Sequence, residues 1–172
     1  MRKLATLLSL VLTVAVSAQS GPPQITKLMG KKLPEFSMVT STGSKLTKKS
    51  LKGKVILLDF WASWCGPCMV ASPVMNDLHK KYSAKGLVVI GANLGESPRD
   101  GNVAAAYKKQ HGYAYTFTKG NDKYSMALGV TSLPTFILVN RKGMVEQIFA
   151  GWHPTEVGGA LETRIKQLLK IK

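Results

Sequence analysis

An α/β domain with a mixed central sheet, ordered βαβ, a helical connection and then ββα, is the fold class that the chain predicts. Three observations carry this. Residues 55–61, 87–91 and 135–139 are near-continuous apolar runs, the pattern of strands buried on both faces. Between the first two runs, Val70, Val74, Leu78 and Tyr82 recur every four residues, which places them on one helical face. After the third run, Asn140-Arg141-Lys142-Gly143 reads as a turn, residues 145–149 as its hairpin partner, and Val157, Leu161, Ile165, Leu168 and Leu169 as the apolar side of a closing helix.

In chain order, residues 19–32 are expected to be an extended, polar lead-in, and the globular pattern begins at Leu33. Residues 36–39 and 45–47 flank Ser41-Thr42-Gly43-Ser44, a small N-terminal hairpin. Leu51-Lys52-Gly53-Lys54 turns into the first central strand. The helix after it carries Pro73, which should kink it. Ser97-Pro98-Arg99-Asp100 has the pattern of a helix start, with Ser97 as N-cap and Pro98 first inside; Val103, Tyr107 and His111 supply its apolar face. Glu96, just ahead, is read as part of that cap in preference to a second polar group near the chemistry-bearing site. Residues 115–118 form a short strand and residues 122–128 a short helix that Gly129 ends.

The 172 residues suit one compact domain, and no internal repeat interrupts them. A 45 % hydrophobic fraction excludes global disorder. The formal charge of +15, from 24 Lys and Arg against 9 Asp and Glu, first suggests nucleic acid. The N-terminus argues otherwise. Met1-Arg2-Lys3, an apolar run over residues 4–16 and the small residues Val16-Ser17-Ala18 make residues 1–18 a secretory signal peptide cleaved after Ala18. The run falls short of the roughly 20 apolar residues that span a bilayer, and no cysteine follows it for lipid attachment. The expected mature chain is soluble and extracytoplasmic (periplasmic in a two-membrane cell), with no nucleic-acid partner. Removing Arg2 and Lys3 leaves +13, which suits anionic envelope surfaces or acidic clients.

One constellation carries chemistry: Trp61-Ala62-Ser63-Trp64-Cys65-Gly66-Pro67-Cys68, where the first central strand meets the first helix. Two cysteines are too few for a disulfide scaffold. A two-residue loop gains little as a structural staple. His79, His111 and His153 are too scattered to complete a zinc site, and Met69 stands where covalent haem attachment needs His. A Cys-x-x-Cys beside a βαβ unit is instead a redox signature. Three residues along a helix is nearly one turn, so both sulfurs reach one another. Free N–H groups at the helix start favour a thiolate at Cys65, and Cys68 lies one turn deeper. Cys65 is thus the attacking sulfur and Cys68 the resolving one. Asp59, in an apolar strand six residues ahead of Cys65, is a buried carboxyl whose proton affinity should be raised.

These residues resemble the thioredoxin superfamily, and within it the exported thiol-disulfide oxidoreductases of the TlpA/ResA type. Residues 57–68 resemble the family's active-site strand and elbow, Leu33-Pro34-Glu35-Phe36 and Leu51-Lys52-Gly53-Lys54 its N-terminal extension, and Gly129-Val130-Thr131-Ser132-Leu133-Pro134-Thr135 the segment with its cis-proline. The likeness runs over residues 33–172, nearly all of the mature chain. It implies a thioredoxin fold with an extra helix inserted between residues 94 and 117, and a cis Leu133–Pro134 bond opposite Cys65. It implies that Cys65, Cys68, Asp59 and Pro134 are catalytic, with Asp59 shuttling the proton of Cys68. It puts Trp64, Gly66, Pro67 and Leu133 on the substrate-binding surface. Clients would be protein disulfides, a membrane electron donor would return the dithiol, and the protein would be a monomer needing no cofactor or metal beyond that dithiol.

The departures are specific. Ala71 replaces the acidic residue that many such proteins carry three positions after the second cysteine. Asp59 stands where many have Asn. Residues 87–95 lack the lysine that cytoplasmic thioredoxins place near the acid. A peroxiredoxin is disfavoured, because Ala62-Ser63-Trp64-Cys65 lacks the Thr-x-x-Cys context. Two further readings remain at this point: a redox-silent adaptor with a basic docking face, and a dedicated thiol reductant for cytochrome c or a copper site.

Overall fold

The computed structural model describes residues 23–171; the expected signal peptide and residues 19–22 lie outside the described residues. A seven-stranded sheet runs through the domain in the order β2–β1–β5–β4–β3–β6–β7. Its centre is β3 (Val55–Trp61), flanked in parallel by β4 (Leu87–Asn93) and antiparallel by β6 (Thr135–Val139). β5 (Thr116–Lys119) extends the parallel side, and β7 (Val145–Ala150) closes the other edge as the hairpin partner of β6. The hairpin of β1 (Ser37–Thr40) and β2 (Lys45–Thr47) adds to β5 antiparallel. This is the thioredoxin fold with the expected βαβ and ββα halves.

Every residue of β3 is buried, because the sheet is covered on both faces. Strand alternation sends Val55, Leu57 and Trp61 into one apolar layer and Ile56, Leu58 and Phe60 into the other. The first layer lies under α2 (Gly66–Tyr82), α3 (Val103–His111) and α5 (Gly159–Leu169). The second lies under the N-terminal segment and α4 (Asp122–Leu128). Full burial of each such Leu or Ile stabilises the fold by about 1.5–3 kcal/mol.

The N-terminal segment departs from expectation. Residues 23–32 are not an extended lead-in: α1 (Pro23–Thr26) is a helical turn, and Ile25 is fully buried in the second layer. Gly30 N and Leu33 N then donate to Val145 O and Gly143 O, each at 2.9 Å, stitching the segment along β7. One apolar residue among polar neighbours carries no periodicity, so the docking was illegible. Gly129 shows how close it is: with φ at +79° it ends α4, and a Cβ there would lie 2.9 Å from Gln24 Cβ.

Two helices also differ. α2 continues across Pro73, and its buried side is Ala71, Met75, Leu78 and Tyr82, with Cys68 and Ser72. Val70 is 60 % exposed. Val74, Leu78 and Tyr82 face the core as expected; small and polar residues that let the helix approach the sheet give no hydrophobic signal, so only the start of the face, at Val70, is misplaced. The Ser97 cap and its Asp100 partner are present, but they close only a short 3₁₀ turn (Pro98–Asp100). Gly101 breaks it, and α3 begins afresh with Asn102 as N-cap, its Oδ1 accepting from Ala105 N at 3.1 Å.

Candidate functional site

The carboxyl end of β3 delivers the active-site segment to the start of α2. Cys65 is the N-cap of α2 in extended conformation, and its Sγ accepts a hydrogen bond from Cys68 N at 3.3 Å. Pro67 sits in the first turn, where no N–H is required. The two sulfurs are joined as a disulfide with Cα atoms 5.3 Å apart. Both cysteines are buried, but Cys65, at 5 % exposure, lines a surface groove, whereas Cys68, at 1 %, does not.

Opposite Cys65 stands the loop ahead of β6, with the Leu133–Pro134 peptide cis. Trp64, Cys65, Gly66 and Pro67 on one side and residues 130–133 on the other line a groove of about 530 Å³, with Leu94 at its end. All four residues expected at the substrate surface thus meet in one groove with Cys65. Trp64 is 65 % exposed, which makes it a large apolar surface beside the reactive sulfur. Trp61 is not part of that surface. It is buried against Tyr107 and Phe117, with ring centroids 4.6 and 5.4 Å away.

Asp59 points from β3 into the layer that also holds Cys68. It is 1 % exposed, and its Oδ1 has no hydrogen-bond partner. Burial pushes its carboxyl up from an ordinary 3.8 to about 7. A carboxyl that titrates near neutrality can both take and return a proton, the property a thiol-disulfide cycle needs next to its inner sulfur.

Glu96 is the site residue that the sequence reading misplaced. It does not cap the following turn. Its Oε1 accepts from Ser63 N at 2.6 Å and from Asn93 Nδ2 at 2.8 Å, and its Oε2 accepts from Ser63 Oγ at 2.8 Å. Trp64 Nε1 donates to Gly95 O at 2.8 Å, and Gly95 N donates to Asp122 Oδ1 at 2.8 Å. The loop after β4 therefore clamps the active-site segment just ahead of Cys65. A signal existed in the parallel register: Trp61 pairs with Asn93, so the residues just past each strand end must meet. Trp152, left unassigned by sequence, packs on Phe136 at 5.7 Å.

Among the described residues no group of His, Cys, Asp and Glu could hold a metal ion, and no helix is long and apolar enough to cross a membrane.

Comparison with known proteins places this geometry. The profile of the Redoxin family matches residues 28–163. The chain is 34 % identical over 138 residues to the thiol-disulfide oxidoreductase ResA of Bacillus thuringiensis (strain Al Hakam), covering 78 % of this chain and 77 % of that protein. It is 30 % identical over 122 residues to the thioredoxin-like protein YneN of Bacillus subtilis (strain 168), covering 71 % of each. Among solved structures, it resembles a putative thiol:disulfide interchange protein DsbE from Chlorobium tepidum, with a TM-score of 0.74, 34 % identity, and coverage of 82 % of this chain and 97 % of that one.

Proposed function

The chain belongs to the Redoxin family and is a thiol-disulfide oxidoreductase, and we propose that it works outside the cytoplasm, reducing or exchanging protein disulfides through a mixed disulfide at Cys65. The observation that carries the reading is the asymmetry of the two sulfurs. Cys65 caps a 17-residue helix at the floor of an open groove, while Cys68 is shielded below it.

In the reduced protein the helix N–H groups favour a Cys65 thiolate, which attacks one sulfur of a client disulfide. The client's other sulfur leaves as a thiolate and takes up a proton. Cys68 then gives its proton to the Asp59 carboxylate and attacks Cys65 Sγ. The Cys65–Cys68 disulfide forms and the second client sulfur departs, so the client gains two electrons and the dithiol loses two. Running the same steps backwards is exchange or oxidation. Electrons return from a membrane donor.

The Cys-Gly-Pro-Cys sequence supports the reducing direction, in the class near about −270 mV. Residues 1–18 support export. The groove beside Trp64 and Leu133 suits an extended apolar client segment, whose backbone would lie along residues 131–133.

Two measurements test this. The reduced protein should reduce the disulfides of insulin, and Cys65→Ser should lose that activity entirely. A redox titration should fall in the thioredoxin-like class; a potential near about −120 mV would reverse the direction. A chain that never reduces a disulfide would return the adaptor reading.

A further inference from the structure

The acid that the reaction uses has an unusual neighbour. Asp59 pairs in parallel register with Gly91 of β4, so the two Cα–Cβ directions point to the same face of the sheet. Gly91 has no side chain, and a ring fills the space. A Cβ on Gly91 would lie 3.1 Å from Tyr115 Cε2 and 3.2 Å from the ring of Phe117. Cε2 neighbours the carbon bearing the hydroxyl, so the phenol end of Tyr115 fills the place next to Asp59 on that face of the sheet. Tyr115 is fully buried.

This position is built. Tyr115 O accepts from Lys108 Nζ at 2.8 Å, and the adjoining Ala114 N donates to Asn76 Oδ1, also at 2.8 Å. Asn76 belongs to α2 and is itself buried, so the helix that carries the dithiol also grips the backbone that carries the phenol. The ring packs at a tilt against Phe117, with centroids 4.3 Å apart and planes 38° apart. The hydroxyl nears Ser72, whose own Oγ donates to Cys68 O at 3.0 Å. Yet Tyr115 OH and Asp59 Oδ1 each lack a hydrogen bond of good geometry in the disulfide form. Two buried polar atoms left unmatched on one face of the sheet cost stability. They become matched when Asp59 is ionised, because a carboxylate accepts where a neutral carboxyl need not.

We propose that Tyr115 is a positioning residue for the proton transfer between Cys68 and Asp59: its hydroxyl, seated in the space left by Gly91, donates to the Asp59 carboxylate whenever that group is ionised. The inference rests on the role given to Asp59 in the proposed cycle. When Cys68 loses its proton, Asp59 must already be a carboxylate, and the phenol keeps that anion accessible inside an apolar layer. The phenol keeps its own proton throughout, since burial and the nearby Asp59 hold its titration well above the ordinary tyrosine range. The other titratable groups in or against this layer are Cys65 at the start of α2, Cys68, His79 and Tyr82 on α2, Tyr107 and Lys108 on α3, Tyr113 ahead of β5, and Glu162 on α5, to which Tyr82 donates. β4 offers Gly91 and β6 offers Phe136 as the register partners of Asp59.

The test is a ¹³C-carboxyl titration of Asp59 in the oxidised protein, comparing wild type with Tyr115→Phe and Tyr107→Phe. Both variants delete a hydroxyl that makes no hydrogen bond of good geometry, so both keep the fold. Tyr115→Phe should raise the Asp59 midpoint by about one unit, a tenfold change in proton affinity, and Tyr107→Phe should move it by less than about 0.3. The pH limb of client reduction should move with the Tyr115→Phe titration. Equal shifts in the two variants, or none in either, would overturn the assignment. The carboxyl titration needs no catalysis. Inactivity of the wild type in the insulin assay, beside a shifted Asp59, would count against the reductase reading alone.

Discussion

The two faces of β3 are built by the same strand and buried to the same degree, yet they are chemically unlike. The face under α1 and α4 packs Ile56, Leu58 and Phe60 against Ile25, Leu33, Phe36 and Leu128, and its buried Thr118 is hydrogen-bonded to Asn121. The face under α2, α3 and α5 holds Asp59 Oδ1, Trp61 Nε1, Tyr107 OH and Tyr115 OH, all buried without hydrogen-bond partners. The remaining unpartnered buried side-chain atoms among the described residues, His79 Nδ1, Trp152 Nε1 and Arg164 Nε, belong to α2, to the segment after β7 and to α5, which cover that same face. Each such atom costs on the order of 1–3 kcal/mol. The lesson is a division of labour. One layer holds the sheet together, and the other gives up stability to keep a proton-active group behind the dithiol.

The largest effect that could break this comparison is in activity. Cys65→Ser should abolish disulfide reduction and leave thermal unfolding close to that of the reduced wild type. A residual rate within tenfold of wild type would mean that the layer behind Cys65 is not organised around it.

In stability, Asp59 and Leu58 should respond in opposite directions. Leu58→Ala should cost about 2–5 kcal/mol at every pH, as a cavity in the apolar layer. Asp59→Asn should stabilise the oxidised protein near pH 8. Between about pH 4 and about pH 7 the folded protein binds the Asp59 proton while the unfolded chain has released it. Wild-type stability therefore falls as pH rises through that window, by on the order of 4 kcal/mol in total. The variant should lack that loss, and the two proteins should converge below pH 4. Urea unfolding at pH 4 and pH 8 reads both effects.

Glu96→Ala should act less strongly and on geometry. It frees Ser63 N and Ser63 Oγ, so kcat/KM for client reduction should fall by about tenfold, the cost of one or two charge-assisted hydrogen bonds at a partly exposed site. The melting temperature should change little. Serine at Ser63 serves the same clamp, and Ser63→Ala should give a smaller loss of the same kind.

How much of this was legible in the sequence follows from what each feature depends on. α4 and β6 emerge at their expected bounds, because a Gly stop and a run of mostly β-branched and aromatic residues are local signals. The dithiol, the groove residues and the buried Asp59 were legible because a motif at a strand-to-helix junction fixes its own surroundings. α1 was not, since its docking rests on the single side chain of Ile25. The start of the inward side of α2 was missed because Ala71 and Ser72 are small, while Leu78 and Tyr82 lie inward as read. Glu96 and Tyr115 reach the site only through strand register, 31 and 50 residues after Cys65 in the chain. Register is a property of the assembled sheet, so neither residue announces itself locally.

The central claim is that the sulfurs are unequal, with Cys65 attacking and Cys68 resolving. The most direct measurement traps the intermediate: reduced Cys68→Ser and reduced Cys65→Ser are each mixed with a disulfide-bonded peptide and weighed by mass spectrometry. Cys68→Ser should accumulate a stable adduct at Cys65, and Cys65→Ser should remain unmodified over the same time. Equal adducts on the two variants, or an adduct on Cys65→Ser alone, would contradict the account.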